Sequence, residues 1–330
     1  MGSKKSLMND YKPSIIFFGT PSIASHCLNS LIDSDKFNIT GVVTNPDRPS
    51  GRGKLLTPSP VKSVAASNCV DIFQTASIKK DFELFKKTFP TRPDIGVVVA
   101  FGQILSQEIL DYPIHGCVNL HASLLPKWRG ASPINKSIIE GDSETGVGLM
   151  KMEIGLDTGP VFCEVIVKLD DKIIASELHD KLAEIGAKLL VDKLPYIING
   201  TLKPIPQINL RNCEVSYASK ISNEECKINW ALEPNKVIRH IHGLSYTPGA
   251  FTTYNNLRFK IYRIEKIHQT HEYYESPGTI VKAEPNNIWV SSVDKNLCYK
   301  VLEGQIEGKK KFSGNELFNS ANFQRGLRYI

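Results

Sequence analysis

The sequence predicts a two-domain α/β protein, with a doubly wound α/β domain first and a small β-barrel after it. In roughly the first 200 residues, short apolar runs alternate with amphipathic stretches of helical period. Beyond about residue 219, short alternating strands separated by turn residues dominate instead. The 330 residues, of which 41% are hydrophobic, are enough to build one core in each domain.

Six apolar runs in the first half predict strands, and the β-branched run at 94–101 is typical of a parallel strand that is covered on both faces. The predicted strands are 14–18, 39–44, 94–101, 117–121, 146–152 and 161–169. Apolar residues at helical spacing predict a helix over 21–33, and a longer helix is predicted over 176–199. Strands alternating with helices in this way favour a doubly wound sheet.

The pattern changes near residue 200. Two prolines exclude a helix there, so residues 201–218 are predicted to be an extended linker between a domain at 1–200 and a domain at 219–330. A short helix is predicted over 233–242. The strands predicted after this helix are 251–254, 257–264, 278–282, 288–291 and 297–305. Their length and spacing favour a small β-barrel.

Charge and cysteine usage narrow the possible function classes. The net charge is +6, and residues 219–330 carry 16 Lys and Arg against 11 Asp and Glu, which is compatible with a phosphate-rich partner. The seven cysteines form no CxxC pair, so we expect neither a disulfide framework nor a bound metal. No apolar run is long enough to span a membrane, and the N-terminus lacks the apolar stretch of a signal peptide, so we expect a cytoplasmic protein.

The strongest candidate site lies at the end of the strand predicted over 117–121. Asn119 and His121 are two residues apart on that strand, so both point to one face, at the edge where open α/β sheets bind ligands. Polar residues satisfied within a core are the commoner reason for an Asn-x-His pattern. However, Ser123-Leu-Leu-Pro126 and the Trp-Arg-Gly that follows force a structured turn that core packing does not require. An amide and an imidazole on one face could stabilise a developing oxyanion.

A second candidate is Asp157, which stands in a turn between two predicted strands and is flanked by Gly155 and Gly159. On its local pattern alone, a carboxylate that caps a turn is the simpler interpretation. A carboxylate is also what a catalytic histidine needs, to orient its ring and to stabilise its charged form.

A third candidate is the loop that runs from 44 to 62, which is rich in proline and glycine. It has neither Walker nor GxGxxG spacing, so it is not a nucleotide-phosphate loop. Its cations Arg48, Arg52, Lys54 and Lys62 are as compatible with contact to a polyanion as with a solvated surface.

These motifs together resemble those of the folate-dependent formyltransferases, which use N10-formyltetrahydrofolate. The resemblance rests on Asn119-x-His121-x-Ser-Leu-Leu-Pro126 and on Asp157 in Gly-Leu-Asp-Thr-Gly. The segments 15–21, 46–54 and 58–62 are similar to those of the branch that acts on methionyl-tRNA. The resemblance covers nearly the whole chain from about Ser14.

The resemblance implies a Rossmann-like formyltransferase domain, a linker and an OB-like β-barrel. It implies that Asn119, His121 and Asp157 are catalytic, and that formyl passes from the folate to initiator methionyl-tRNA. The residues that would border the folate are Ser123, Leu124, Leu125, Pro126, Ala100, Phe101 and Gly102. The residues that would face the tRNA are Arg48, Arg52 and Lys54. We expect a monomer.

Two alternatives stay open on the sequence. The first is a related formyltransferase acting on glycinamide ribonucleotide or on an amino-sugar nucleotide. The glycinamide enzymes are shorter and lack the C-terminal barrel, and the sugar-nucleotide enzymes lack the 46–54 loop in this form. The second is a non-catalytic RNA-binding protein with a decayed enzyme domain, against which the intact Asn119, His121 and Asp157 argue.

Overall fold

The computed structural model describes residues 11–50, 55–254, 257–268, 275–321 and 326. The chain divides into two compact units, each built from three segments. Unit 1 comprises Met1–Arg129, Val147–Val165 and Leu182–Val215. Unit 2 comprises Gly130–Gly146, Ile166–Lys181 and Ser216–Ile330. Across the described ranges, no helix is both long and apolar enough to cross a membrane.

Helices and strands alternate in the first half of the chain, and strands dominate the second. The strands β1 to β17 are Ser14–Gly19, Asn38–Thr44, Arg48–Ser50, Leu55–Thr57, Ile72–Gln74, Ile95–Val99, Cys117–His121, Arg129–Gly130, Glu144–Lys151, Val161–Lys168, Tyr217–Ala218, Ala250–Tyr254, Leu257–His268, Ile280–Glu284, Asn287–Ser291, Leu297–Ile306 and Phe312–Ser313. The helices α1 to α8 are Ser22–Asp33, Pro60–Ser67, Phe82–Thr88, Gln107–Leu110, Pro133–Ile139, Ala175–Ile198, Pro234–Gly243 and Gly314–Ala321.

A seven-stranded sheet in the order β10-β9-β7-β6-β1-β2-β5 is the centre of the first half. The pairs β5-β2, β2-β1, β1-β6 and β6-β7 are parallel. β1 is buried on both faces, because Ile15, Ile16, Phe17 and Phe18 are each at most 1% exposed. The predicted parallel-dominated α/β domain is thereby confirmed.

One edge of this sheet departs from the parallel arrangement. β9 pairs with β7 in antiparallel register, so that Asn119 lies opposite Met150 and His121 lies opposite Gly148. An apolar run fits either strand direction, and for this reason the sequence pattern could not indicate the reversal.

Unit 2 contains a six-stranded sheet in the order β12-β13-β16-β15-β14, with β17 paired to β16. The strand pairs described in it are antiparallel. Its core joins residues of α7, such as Val237 and Ile241, to strand residues such as Phe259 and Tyr299. This sheet confirms the predicted C-terminal β domain. The boundaries at 1–200, 201–218 and 219–330 stay a prediction.

Residues 201–218 do not form a uniformly extended segment. They contain the 3-10 helix Gln207–Asn209 and the short strand β11. Ile205 forms an antiparallel bridge with Val161, the first residue of β10. Prolines exclude an α-helix in such a segment, but they leave a single 3-10 turn possible.

Candidate active site

Asn119 and His121 lie on β7, which is the strand between β6 and β9. Both are buried, with exposed fractions of 9% and 5%. Alternation along the strand places them on one face, as the spacing predicts. β6 and β7 run in parallel, so their carboxyl ends meet at the same edge of the sheet.

The turn between β9 and β10 brings Asp157 to these two residues. One carboxylate oxygen, Oδ1, is 3.5 Å from Asn119 Nδ2. The other, Oδ2, is 3.7 Å from His121 Nδ1. Both distances are long for hydrogen bonds, as is common for catalytic groups before substrate binds. The structure therefore brings the three predicted catalytic residues together around one carboxylate.

The backbone of this turn is constrained. Asp157 has a φ of 50°, in the left-handed region that a non-glycine residue adopts only when its surroundings hold it there. A Cβ built on Gly159 would overlap the carbonyl oxygen of Lys151 at the end of β9. Glycine at this position is what allows the turn to lie against the strand.

The His121 ring is held from its far side by the backbone. Its Nε2 lies 3.1 Å from the carbonyl oxygen of Trp128. A carbonyl oxygen can only accept, so Nε2 carries a proton, and Nδ1 is the ring nitrogen that faces Asp157. Trp128 also has a left-handed φ, of 61°.

The turn Ser123 to Pro126 is packed tightly. The Ser123 hydroxyl donates to the Lys127 carbonyl oxygen at 2.6 Å. The side chains of Ser123, Leu124 and Leu125 are buried, and Leu125 packs with Met150 and Val161. Because these side chains are enclosed by protein, a folate at this turn would meet mainly backbone groups.

The other predicted folate segment follows β6. Ala100 and Gly102 are exposed and have left-handed φ values of 45° and 78°. A Cβ on Gly102 would meet nothing within 4 Å. Phe101 points the opposite way, and its ring packs edge-on against Phe18 with centroids 5.7 Å apart. Ala100 and Gly102 can therefore border a ligand, whereas the Phe101 side chain belongs to the core.

Two polar residues that the sequence analysis did not single out support this segment. Asn45 Nδ2 donates to the Phe101 carbonyl oxygen at 3.0 Å. Gln103 Nε2 donates to Asn45 Oδ1 and to the Thr75 carbonyl oxygen, each at 2.8 Å. Nothing in their local sequence distinguishes them from ordinary loop residues.

The basic loop is only partly described. Arg48 is exposed on β3, which pairs in antiparallel register with β4. Arg52 and Lys54 lie outside the described residues. Lys62 is 2.7 Å from Asp47, and this hydrogen-bonded ion pair lowers the pKa of the Asp47 carboxyl. Lys62 therefore forms its ion pair within the loop.

Gln207, in the predicted linker, is a further residue that the sequence analysis missed. Its side chain is buried, and its amide nitrogen donates to the carbonyl oxygens of Asp157 and Gly159, each at 2.8 Å. The prolines around Gln207 favour a linker, and no local signal marks its amide as part of the site.

The chain matches two family models along most of its length. The model described as formyl transferase matches residues 12–194. The model described as formyl transferase, C-terminal domain, matches residues 220–322.

Curated relatives are similar over nearly the whole chain. The methionyl-tRNA formyltransferase of Clostridium perfringens (strain 13 / Type A) is 42% identical over 314 residues, which cover 94% of this chain and 98% of that protein. That of Bacillus velezensis is 38% identical over 312 residues, which cover 94% of this chain and 96% of that protein.

Solved structures share the fold. The N-formyltransferase from Helicobacter canadensis, in complex with folinic acid and dTDP-3-aminofucose, matches with a TM-score of 0.61 at 19% identity, covering 88% of this chain and 99% of that one. HypX from Aquifex aeolicus, in complex with tetrahydrofolic acid, matches with a TM-score of 0.64 at 13% identity, covering 97% of this chain and 51% of that one. With two family models matched in order and relatives near 40% identity, the chain belongs to the formyltransferase family.

Proposed function

We propose that this protein transfers the formyl group of N10-formyltetrahydrofolate to the free α-amino group of initiator methionyl-tRNA. The observation that carries the chemistry is the convergence of Asn119, His121 and Asp157 at the carboxyl edge of the sheet. The acceptor is supported by the relatives that are methionyl-tRNA formyltransferases and match over nearly the full chain.

The reaction is a direct acyl transfer. The α-amino nitrogen attacks the formyl carbon, and a C–N bond forms while the carbonyl oxygen takes up negative charge. One proton leaves the attacking nitrogen, the bond between the formyl carbon and N10 breaks, and N10 receives a proton. The tetrahedral oxyanion is the species that the enzyme must stabilise.

The geometry gives each of the three residues a role. Asn119 Nδ2 and the Nδ1–H of a doubly protonated His121 ring donate hydrogen bonds to the oxyanion. His121 donates from Nδ1 because Nε2 is engaged by the Trp128 carbonyl oxygen. The Asp157 carboxylate stabilises the positive charge on the ring and helps to move the proton that the amine loses.

The cysteines near this site do not suggest a covalent intermediate. Burial raises the pKa of Cys117 on β7 to about 12 and the pKa of Cys163 on β10 to about 11. Both thiols stay protonated near neutral pH and are poor nucleophiles. Direct transfer from folate to amine is the simpler route.

The folate would lie along the exposed backbone of Ala100 and Gly102 and the turn from Ser123 to Pro126. The tRNA would meet the basic loop through Arg48, Arg52 and Lys54. We expect Arg52→Ala to raise the KM for methionyl-tRNA by about 10-fold or more, since a phosphate contact is lost, while formylfolate binding is unchanged. Equal losses toward both substrates would argue against a loop that faces tRNA.

Residues 201–218 join a formyltransferase domain at 1–200 to a β domain at 219–330, which is supported by the gap between the two family matches. The protein acts as a monomer in the cytoplasm.

One assay separates this proposal from its alternatives. Labelled formylfolate is offered with methionyl-tRNA, with glycinamide ribonucleotide, or with an amino-sugar nucleotide. We expect label to appear on methionyl-tRNA only. Transfer to either small acceptor instead would reassign the protein within the family, and tRNA binding without any transfer would indicate a protein that has lost catalysis.

A further inference from the structure

One short segment, residues 205–211, lies against both turns of the candidate active site. Ile205 and Val161 exchange two backbone hydrogen bonds, of 2.9 and 2.8 Å, so the segment is fixed to the strand that leaves the Asp157 turn. Further along, Arg211 donates to the Leu125 carbonyl oxygen at 3.2 Å and pairs with Glu164 on β10. The segment thus connects the Asp157 turn with the Ser123 to Pro126 turn.

Within this segment, Gln207 binds the backbone of the Asp157 turn. Its Nε2 donates to the carbonyl oxygens of Asp157 and Gly159 at 2.8 Å each. Its Oε1 accepts from Nη2 and Nε of Arg129, at 2.8 and 3.2 Å. The amide orientation is fixed by this arrangement, because a flipped amide would place its oxygen against two carbonyl oxygens and its NH₂ group against a guanidinium.

These hydrogen bonds act where the backbone most needs support. Asp157 has a left-handed φ of 50°, a conformation that is unfavourable for a residue with a side chain. Holding the carbonyl groups of Asp157 and Gly159 fixes the turn on both sides of Thr158. It thereby fixes the direction of the carboxylate, whose two oxygens lie 3.5 Å from Asn119 Nδ2 and 3.7 Å from His121 Nδ1.

We infer that Gln207 is a positioning residue for formyl transfer, which acts through Asp157. The side chain that aligns the catalytic carboxylate therefore comes from a part of the chain whose sequence indicates a linker. The inference rests on the proposed function of the Asp157 turn.

Two substitutions at Gln207 separate its two kinds of contact. Gln207→Met removes all of them, whereas Gln207→Glu keeps an acceptor for Arg129 and loses both donors. We expect both variants to lower kcat by roughly 10- to 100-fold, with the KM for formylfolate within about 2-fold of wild type, because misplacing a catalytic group slows turnover more than it weakens binding. Asn209→Ala, an exposed residue of the same 3-10 helix, is the matched control and should behave as wild type.

A double-mutant cycle tests whether Gln207 acts through Asp157. In an Asp157→Asn background, Gln207→Met should lower kcat by less than about a further 2-fold, because the group that it positions is already absent. If the two losses multiply, or if Gln207→Glu turns over like wild type, the positioning role is overturned.

Backbone hydrogen exchange gives a readout that does not depend on activity. The peptide that covers residues 152–160 should exchange faster in both Gln207 variants than in the wild type, and its exchange rate should be unchanged in Asn209→Ala. The melting temperatures of the variants report their global stability. Unchanged exchange in that peptide would also overturn the inference. The wild-type acceptor assay decides the proposed function separately, and the variants are compared on whichever acceptor the wild type formylates.

Discussion

The orientation of His121 is set by the backbone as much as by an acidic partner. The Trp128 carbonyl oxygen accepts from Nε2, and the left-handed backbone of Trp128 turns this carbonyl toward the ring. The nitrogen left to face Asp157 is Nδ1. Because Nε2 is engaged in this way, Nδ1 is the ring nitrogen available to other groups at the site.

His121→Asn should lower kcat by roughly 10²- to 10³-fold, because asparagine cannot carry the positive charge that stabilises the oxyanion. Single-turnover transfer to methionyl-tRNA measures the loss, and folate binding and melting temperature should stay near wild type. His115→Asn, at an exposed position of the same unit, serves as the control. A His121→Asn enzyme with nearly normal turnover would remove His121 from the mechanism.

Among the elements, we expect the turn between β9 and β10 to affect both stability and catalysis. Gly159→Ala would place a methyl group against the Lys151 carbonyl oxygen, so the turn must move away from β9. We expect a loss of roughly 1–3 kcal/mol in the free energy of unfolding, from the forced overlap. We also expect kcat to fall by at least about 10-fold, since Asp157 moves with the turn. Urea unfolding and turnover measure the two effects.

Gly308→Ala is the control, because it introduces backbone strain without steric overlap. Gly308 has a left-handed φ, of 78°, which Gly159 does not have, and a Cβ on Gly308 would meet nothing within 4 Å. It should lose roughly 1 kcal/mol of stability and keep wild-type turnover. If Gly159→Ala and Gly308→Ala lost similar amounts of turnover, the loss in Gly159→Ala could not be attributed to displacement of the Asp157 turn.

Helix α7 contributes a buried histidine that we expect to make unit 2 sensitive to acid. His242 is 3% exposed, with Nε2 3.0 Å from the Ile264 carbonyl oxygen, and burial lowers its pKa to about 4 from the ordinary histidine value of 6.5. The unfolded chain therefore binds this proton more readily than the folded one. The stability associated with a neutral His242 is fully present above about pH 6.5 and is lost as the pH falls toward about 4.

Replacing His242 by leucine should flatten the pH dependence of unfolding. Between about pH 7 and about pH 4, the wild type should lose roughly 3 kcal/mol more than His242→Leu, from the difference in pKa between its folded and unfolded states. Urea unfolding at several pH values measures this difference. His26→Leu, at an exposed position on α1, should keep the wild-type slope. If the free energy of unfolding fell equally with pH in the wild type and in His242→Leu, His242 would not be the source of the pH dependence.

The predicted elements agree with the structure where periodicity is strong. The predicted strand at 14–18 and the predicted helix at 176–199 correspond to β1 and α6, within one residue at each end. Short elements such as β5 and α4 were not predicted, because three or four residues hold too little of a period to detect. The 3-10 helix at Gln207 was missed for a different reason, since its formation depends on contacts with β10 and the Asp157 turn.

At the scale of the whole molecule, charge is unevenly distributed. Residues 219–330 carry +5 of the net +6. In unit 2, Lys309, Lys310 and Lys311 are exposed in the turn after β16. A basic surface of this kind attracts nucleic acid by releasing counterions, which makes the affinity depend on salt.

The KM for methionyl-tRNA should therefore rise steeply between about 50 and about 200 mM KCl, while the KM for formylfolate changes little. Lys309→Glu with Lys310→Glu should raise the KM for tRNA and reduce this salt slope. Lys79→Glu with Lys80→Glu makes the same change of charge in unit 1 and should leave the KM for tRNA and its salt slope unchanged. Salt slopes that are equal for the two double variants would show that the β16 turn takes no part in holding tRNA.

The sequence by itself determined the longer strands and helices, and it determined that Asn119 and His121 share one face, because periodicity and alternation are properties of neighbouring residues. It also marked Asp157 as a candidate through the glycines around it. Only the tertiary structure decided that the Asp157 carboxylate reaches both side chains, that Trp128 selects Nδ1 of His121, and that Gln207 holds the turn. These contacts join residues that are mostly far apart in the chain, and they form because β9 pairs with β7 and the turn after β9 places Asp157 beside Asn119 and His121.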